Sequence, residues 1–285
     1  MSFFTFLRTN IRFLAAGMLL AFLSGFGQTF FISLFGPEIR ETFGLSYAQW
    51  GISYALATTA SAVVMIWAGG LTDRLRARRL GMIVLLGLAG ACIFMSLNPL
   101  AFLVPLVIFL LRFFGQGMTS HLSSVAMARW FVRSRGRALA IAALGFSIGE
   151  AVLPLVFVGL KSLMAWQFLW LVAATILLLS IPILMQLLAA ERQPQAMSEA
   201  EHSAGMQGRH WTRAQALRAP LFWMVVPLLL GPPAFNTAFF FQQAHIAEVK
   251  SWTHLALVAL FPIYTAASIA AVLLSGAAVD RCGTA

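Results

Sequence analysis

Two charged residues, Arg112 and Glu150, lie deep inside long apolar segments of the sequence. Because a charged side chain costs at least about 3 kcal/mol at the centre of a bilayer, residues in such places are candidates for function. The guanidinium of Arg112 could bind a carboxylate through two parallel hydrogen bonds. Glu150 could take up and release a proton, since burial and a nearby arginine have opposite effects on its charge. A purely structural Arg–Glu pair between two helices is the alternative.

The two residues are expected at similar depths. Arg112 comes 13 residues after Pro99, and Glu150 comes 11 residues before Lys161, where sequence features indicate turns. At about 1.5 Å per helical residue, they lie about 20 Å and about 17 Å from the same membrane face. The difference is less than one helical turn, so the two side chains could pair if their helix faces meet.

Polar side chains also lie in the first and seventh apolar segments. The first segment is interrupted by glycines, and the polar residues of the two segments are Gln28, Thr29 and Ser33, then Asn236, Gln242 and Gln243. Interrupted segments at corresponding positions of two halves point to a binding site. Alternatively, such side chains only form hydrogen bonds between helices.

Three further polar residues are candidates for the same pathway. Gln116 follows the buried arginine by about one turn, and Tyr54 and Tyr264 lie in the second and eighth apolar segments. The two tyrosines are expected to line a cavity or to belong to interface belts. His121 and His245 are interpreted as surface residues rather than proton relays.

The composition defines the class of protein that must position these residues. The chain has 285 residues, of which 60% are hydrophobic and 10% charged, with a mean hydropathy of +0.87. Soluble domains contain about 25% charged residues, so this chain is predicted to be an integral membrane protein. Its net charge of +10 is concentrated in short loops, which indicates contact with membrane lipid rather than with nucleic acid.

The apolar segments are long enough to be membrane-spanning helices, since about 20 residues cross about 30 Å of hydrocarbon. Eight spans are predicted at about 13–35, 50–70, 80–97, 100–130, 138–160, 166–189, 220–243 and 255–278. Pro227, Pro232 and Pro233 are expected to kink or break the seventh span. The fold class is therefore all-α, a polytopic membrane helix bundle.

A change of composition divides the chain into three parts. Residues 1–190 are predicted to form a six-helix transmembrane bundle, and residues 220–285 a partial second bundle of two helices. The polar residues 191–219 are predicted to form a cytoplasmic linker, with a short amphipathic helix at Trp211–Leu217 on the membrane interface.

The loop between the second and third spans carries five charges in seven residues. It reads G-x-x-D-R-x-x-x-R-R, from Gly70, Asp73, Arg74, Arg78 and Arg79. The pattern resembles the loop between helices two and three of the major facilitator superfamily of transporters, which implies a conformational gate. A generic positively charged loop is the alternative, but it needs only the arginines and not the spacing of the glycine and aspartate.

The sequence also contains an internal repeat. Asp280-Arg281 follows Asp73-Arg74 by 207 residues, and Asn236-Thr237 matches Gln28-Thr29 at an offset of 208. Two similar offsets on matching spans indicate a duplicated unit of six helices. This is similar to the two six-helix halves of the superfamily, which are related by an axis along the membrane normal.

The fourth span and the loop after it provide a third resemblance. Arg112-x-x-Gly115-Gln116-Gly117 is similar to the R-x-x-Q-G-x-G pattern of the superfamily without its final glycine, and residues 130–138 resemble its entry to helix five. Glu150 stands where antiporters of the family continue into a Gly-Pro pair. The antiporter signature is therefore incomplete.

The resemblance implies twelve spans, whereas eight are predicted. We therefore expect an MFS-like chain truncated after the eighth transmembrane helix, with a complete six-helix N-terminal half and the first two helices of the second half. Of the 19 lysines and arginines, 15 fall on the side of the N-terminus, three on the other side and Arg112 within a span. This asymmetry predicts a cytoplasmic N-terminus, in a bacterial inner membrane.

Two functions remain open. The first is a secondary or facilitative transporter of a small solute, such as an organic anion with proton symport, that works by alternating access. The second is a non-transporting protein: a receptor, a helper subunit or an inactive truncated paralogue. The sequence has no H-E-x-x-H, P-loop or G-x-S-x-G motif and no cluster of metal ligands, so it predicts neither an enzyme nor a cofactor or metal site.

Overall fold

The computed structural model describes residues 3–131, 134–190 and 212–282, and this part of the chain consists of helices joined by turns and short loops, without strands. Eight of its helices are long and apolar enough to cross a membrane. We number them spans 1 to 8: Phe4–Gly27, Tyr47–Arg74, Ala77–Leu97, Ala101–Trp130, Arg135–Leu160, Trp166–Leu187, Pro220–Phe241 and His254–Ala271. These eight helices confirm the predicted all-α membrane bundle. Helices can cross hydrocarbon because they satisfy their backbone polar groups internally.

Several spans consist of more than one helical piece. Span 2 contains the helices Tyr47–Ala68 and Leu71–Arg74. Span 4 contains the helix Val104–Leu111, a π-helical turn at Arg112–Thr119 and the helix Ser120–Trp130. Span 8 contains the helix His254–Val258 and the first part of the helix Phe261–Cys282.

Span 1 differs from its predicted bounds. Its helix runs from Phe3 to Leu23 and passes through Arg8 and Arg12, which were expected to precede it. Long arginine side chains can bury their stems and reach water with their charged ends, so they do not terminate a helix. After a 3₁₀ turn at Ser24–Gly27 the chain continues through short helical pieces, of which the last is the helix Gly36–Phe43.

Span 7 also departs from the prediction. The helix Pro220–Phe241 contains Pro227, Pro232 and Pro233 without a break and ends before Gln242. The helix Gln243–Val249 follows it. Short helix Arg213–Arg218 precedes span 7 and is capped by Thr212, whereas residues 191–211 of the predicted linker lie outside the described residues.

The first six spans pack into one bundle. Span 1 packs along span 5, and span 3 packs along span 6. The contact between spans 1 and 5 depends on Gly145, where a Cβ atom would lie 2.0 Å from the carbonyl oxygen of Met18. Small residues at helix contacts let two backbones approach closely, which is the main source of packing energy between helices in lipid.

The duplication is visible in the turns that precede spans 2 and 8. Phe35 and Gln242 lie 207 positions apart and have nearly the same backbone angles, with φ −99° and ψ 5° in Phe35 and φ −94° and ψ 5° in Gln242. Ser46 and Thr253, again 207 positions apart, cap the first helix of span 2 and of span 8 with their hydroxyls. We call this end of the bundle, residues 36–46 and 243–253, the Gly44 end, and the opposite end, at residues 69–78, the Asp73 end.

Candidate functional site

Arg112 lies at the centre of a buried polar cluster. Its side chain is 4% exposed, and its Nη1 donates hydrogen bonds to Oγ1 of Thr29 at 3.1 Å and to the carbonyl oxygen of Gly27 at 3.3 Å. The hydroxyl of Tyr54 donates to the same Thr29 oxygen at 2.9 Å. Three residues that the sequence indicated on three different spans therefore meet in one place.

Two local departures from α-helical geometry make this cluster possible. The backbone of span 1 is extended at Gln28, with ψ 157°, so the carbonyl of Gly27 is free to accept from the arginine. Gly27 touches Gly115 in the π-helical turn of span 4: a Cβ atom on Gly27 would lie 2.2 Å from the Leu111 carbonyl oxygen and 2.6 Å from the Gly115 Cα. The π-helical turn leaves backbone groups out of regular α-helical register, as is common at functional sites.

Arg112 and Glu150 do not form the pair that their depths allowed. Arg112 has no carboxylate within ion-pair distance in the described part of the chain. Glu150 instead lies near Thr265 and Tyr264 of span 8, and Tyr264 in turn lies near Asn236 of span 7. The reason is that span 4 presents its arginine to span 1, whereas Glu150 lies on the side of span 5 that packs against span 8.

The remaining sequence candidates for the pathway lie around this cluster. Gln28 is buried at the break in span 1. Gln116 lies on the open side of span 4, in a groove between spans 2 and 4. His121 lines the same groove, although the sequence was interpreted as placing it on the surface.

The two halves are joined by buried hydrogen bonds next to the Gly44 end. Gln243 is fully buried, and its Nε2 donates to the carbonyl of Phe30 at 2.9 Å and to the hydroxyl of Ser33 at 2.7 Å. The Ser33 hydroxyl donates to the carbonyl of Phe240 at 2.7 Å. These bonds connect the segment that follows span 1 to the end of span 7 and the helix after it. They cross the boundary between the halves.

A second set of contacts closes the Gly44 end at its surface. The hydroxyl of Tyr47 donates to Oε2 of Glu248 at 2.9 Å, and Nδ1 of His245 lies 3.6 Å from the same oxygen. The guanidinium carbon of Arg40 lies 3.3 Å from the centre of the Tyr47 ring. Deeper in, the Phe241 ring contacts Tyr54 at 4.7 Å between centroids. The two halves are therefore in contact from the surface down to the Arg112 cluster.

The loop at the Asp73 end is attached to span 4. Arg129 forms an ion pair with Asp73, and its Nη1 also donates to the carbonyl of Thr72 at 2.7 Å. Arg129 was not among the sequence candidates, because in the sequence it is one of many arginines near the membrane surface. Arg74 and Arg78 line a cavity of about 300 Å³ beside this pair, and Arg79 is exposed.

The residues of the second copy of this loop are only partly described. Asp280 and Arg281 belong to the last turn of the helix Phe261–Cys282, and their side chains lie outside the described part of the structure. Gly70 lies directly before the short helix Leu71–Arg74, which contains Asp73. The gating role that the resemblance implies for these residues stays a prediction.

A bundle of eight membrane-crossing helices with an internal repeat, closed between its halves at one end and holding a buried arginine, is the architecture of a solute transporter. The chain belongs to the Major Facilitator Superfamily, whose family model matches residues 17–285. No curated protein matches the chain at a significant level. The family assignment makes the protein a membrane transporter of the major facilitator type, whose substrates are small-molecule solutes.

Proposed function

We propose that the protein transports a small organic anion by alternating access, and that Arg112 binds the anionic group. The observation that supports this most directly is that the hydrogen-bond partners of Arg112 carry no negative charge. Its hydrogen-bond partners, a backbone carbonyl and the Thr29 hydroxyl, are neutral. A buried charge without a countercharge is costly, and a solute carboxylate would supply that countercharge.

The contacts between the halves suggest how such a cycle proceeds. Release of Gln243 from Phe30 and Ser33, together with release of Tyr47 from Glu248, would open the Gly44 end. Following the charge asymmetry of the loops, we assign the Gly44 end to the outer face of a bacterial inner membrane and the N-terminus to the cytoplasm. The contacts described here would then belong to a state that is closed to the outside.

We further propose proton symport, with Glu150 as the proton carrier. Glu150 belongs to the first half, and its neighbours Thr265 and Tyr264 belong to the second. A carboxyl at a boundary that moves in each cycle changes its surroundings when the halves move, and a group in this position can therefore link protonation to conformation.

Uptake into proteoliposomes tests the proposed function. Labelled lactate, succinate and gluconate are offered to vesicles that contain the wild-type protein, Arg112→Ala or Arg112→Lys, with an inward proton gradient. Arg137→Ala is the matched control, because Arg137 is an exposed arginine at the start of span 5. We expect uptake of at least one anion, a loss of tenfold or more in Arg112→Ala, and wild-type uptake in the control.

Folding of the variants is checked by size-exclusion chromatography and by thermal unfolding in detergent. If Arg112→Ala is folded and takes up anions at the wild-type rate, Arg112 is not the anion site. If none of the anions is taken up by the wild-type protein above protein-free vesicles, the anion class is wrong.

A further inference from the structure

A groove of about 340 Å³ lies between spans 2 and 4, next to Arg112. Its volume lies at the lower end of the range of small-molecule sites, which is about 300–1,000 Å³. Besides the arginine, its polar lining includes Thr58, Ser61, Gln116, Ser120 and His121. Most of these side chains are neutral, and each of them can both donate and accept a hydrogen bond.

Two residues that line this groove each have a buried polar atom without a hydrogen-bond partner among the described residues. These atoms are Nε of Arg112, on span 4, and Oγ1 of Thr58, on span 2. Buried polar groups in folded proteins nearly always have partners, so an unsatisfied one calls for an explanation. Here two such atoms belong to residues on opposite walls of one groove, and a small rotation of each side chain toward a bound molecule would give both atoms a partner.

The polar residues form continuous rows along the two helices. Thr58 and Ser61 are three residues apart on span 2, and Gln116 and Ser120 are four residues apart on span 4, so each pair lies on one helix face. His121 lies nine residues after Arg112 on span 4, on the side of the Asp73 end. The groove therefore has one permanent positive charge at one end and a row of hydrogen-bonding groups leading away from it.

Resting on the function proposed above, we propose that the transported anion is a hydroxylated carboxylate, with several hydroxyl groups along its chain, and that this groove is its site. The carboxylate pairs with Arg112, and its oxygens accept from Nε and the remaining guanidinium hydrogens. The solute hydroxyls exchange hydrogen bonds with Thr58 and Ser61 on one wall and with Gln116 and Ser120 on the other. His121 contacts the far end of the solute.

A site of this kind selects against solutes without hydroxyl groups. A site whose polar groups hydrogen-bond a substrate hydroxyl binds the analogue without that hydroxyl less tightly, because those polar groups then lose their partners. By contrast, a groove lined with apolar side chains distinguishes such pairs only weakly. Selectivity between solutes of equal chain length therefore measures whether the hydroxyl row participates in binding.

Calorimetric binding to the purified protein in detergent tests the proposal, with gluconate and hexanoate as probes of equal carbon number. We expect gluconate to bind at least tenfold more tightly than hexanoate. The double variant Thr58→Val/Ser61→Ala should weaken gluconate binding at least tenfold and leave hexanoate binding unchanged. Thr59→Val is the matched control, because Thr59 is exposed on a different face of span 2.

Each other outcome is decisive. If gluconate and hexanoate bind equally, or if the double variant binds gluconate like the wild-type protein, the hydroxylated class is wrong, while loss of anion uptake in Arg112→Ala would still support the proposed transport. If the folded wild-type protein binds neither probe and takes up no anion, the proposed function fails as well. Thermal unfolding of each variant confirms that it is folded before binding is measured.

Discussion

Gly44 and Ser251 lie 207 positions apart, and both have a left-handed backbone, with φ of 63° and 55°. Each follows the short helix that closes one half at the Gly44 end, Gly36–Phe43 in the first half and Gln243–Val249 in the second. The turn has therefore been kept in both copies although the residue at the critical position differs. Serine has a Cβ atom that disfavours this conformation, whereas glycine adopts it freely.

Separate substitutions of Ser251 and Gly44 should change the free energy of unfolding in opposite directions. Ser251→Gly is expected to raise the free energy of unfolding by up to about 1 kcal/mol, because the strain it removes exceeds the added flexibility of the unfolded chain. Gly44→Ser is expected to lower it by about 1 kcal/mol. No atom lies within 4 Å of a Cβ at Gly44, so the effect there is conformational and not steric. Denaturant unfolding in detergent, followed by tryptophan fluorescence, measures both, and a lower midpoint for Ser251→Gly would contradict the explanation.

The contact between Gly27 and Gly115 should tolerate no side chain. Gly27→Ala would place a methyl group 2.2 Å from the Leu111 carbonyl oxygen, and overpacking of this kind typically costs about 1–3 kcal/mol. Gly90→Ala in span 3 is the control, because nothing lies within 4 Å of its Cβ position. Thermal unfolding should show a clear loss for Gly27→Ala and no loss for Gly90→Ala. Equal midpoints would mean that the two backbones are farther apart than described.

Gln243 should contribute more than Gln242 to the stability of the closed structure. Gln243→Leu removes the donor to Phe30 and Ser33, and leaving buried acceptors without a partner costs about 1–3 kcal/mol. Gln242→Leu is a matched control, since Gln242 is exposed; its effect should stay within about 0.5 kcal/mol. The comparison is made by chemical unfolding, and a similar loss in the two variants would show that the hydrogen bonds to span 1 contribute nothing specific.

If Glu150 is the proton carrier, Glu150→Gln should separate transport from the proton gradient. The neutral side chain keeps the size of a protonated glutamate, so solute exchange across the membrane should continue at a rate near that of the wild-type protein. Accumulation against a gradient should be lost. Counterflow and gradient-driven uptake in proteoliposomes measure the two activities, with Glu41→Gln as an exposed control. Retained accumulation in Glu150→Gln would exclude this role.

The number and order of the spans could be predicted from the sequence because apolar length and charge alone determine them. The sequence indicated Arg112, Thr29 and Tyr54 as candidates for one pathway, but it did not indicate that their side chains contact one another. The pairing of Arg112 with Glu150 was wrong for a geometric reason. Depth along a helix is obtained by counting residues, but the direction of a side chain depends on helix rotation and on the π-helical turn at 112–119.

Other features could not be predicted from local sequence. Proline lacks a donor and usually interrupts a helix, yet three prolines lie within the continuous helix of span 7. Arg129 and His121 were given no role, because their partners, Asp73 and the groove beside Arg112, come from distant parts of the chain. A residue type indicates its chemistry, whereas its neighbours are known only once the helices are packed.

The π-helical turn in span 4 separates two attachment points. Arg112, the first residue of the turn, is bonded to span 1, and Arg129, beyond its end, is bonded to the loop at the Asp73 end. One extra residue in a turn changes the angular register of everything beyond it, by roughly 100° per residue for an α-helix. If that turn tightened to α-helical geometry, the two arginines would be rotated relative to each other about the helix axis and moved slightly apart along it. We therefore expect a change of helix type at residues 112–119 to reorient the arginine at the centre of the bundle relative to the loop at the Asp73 end.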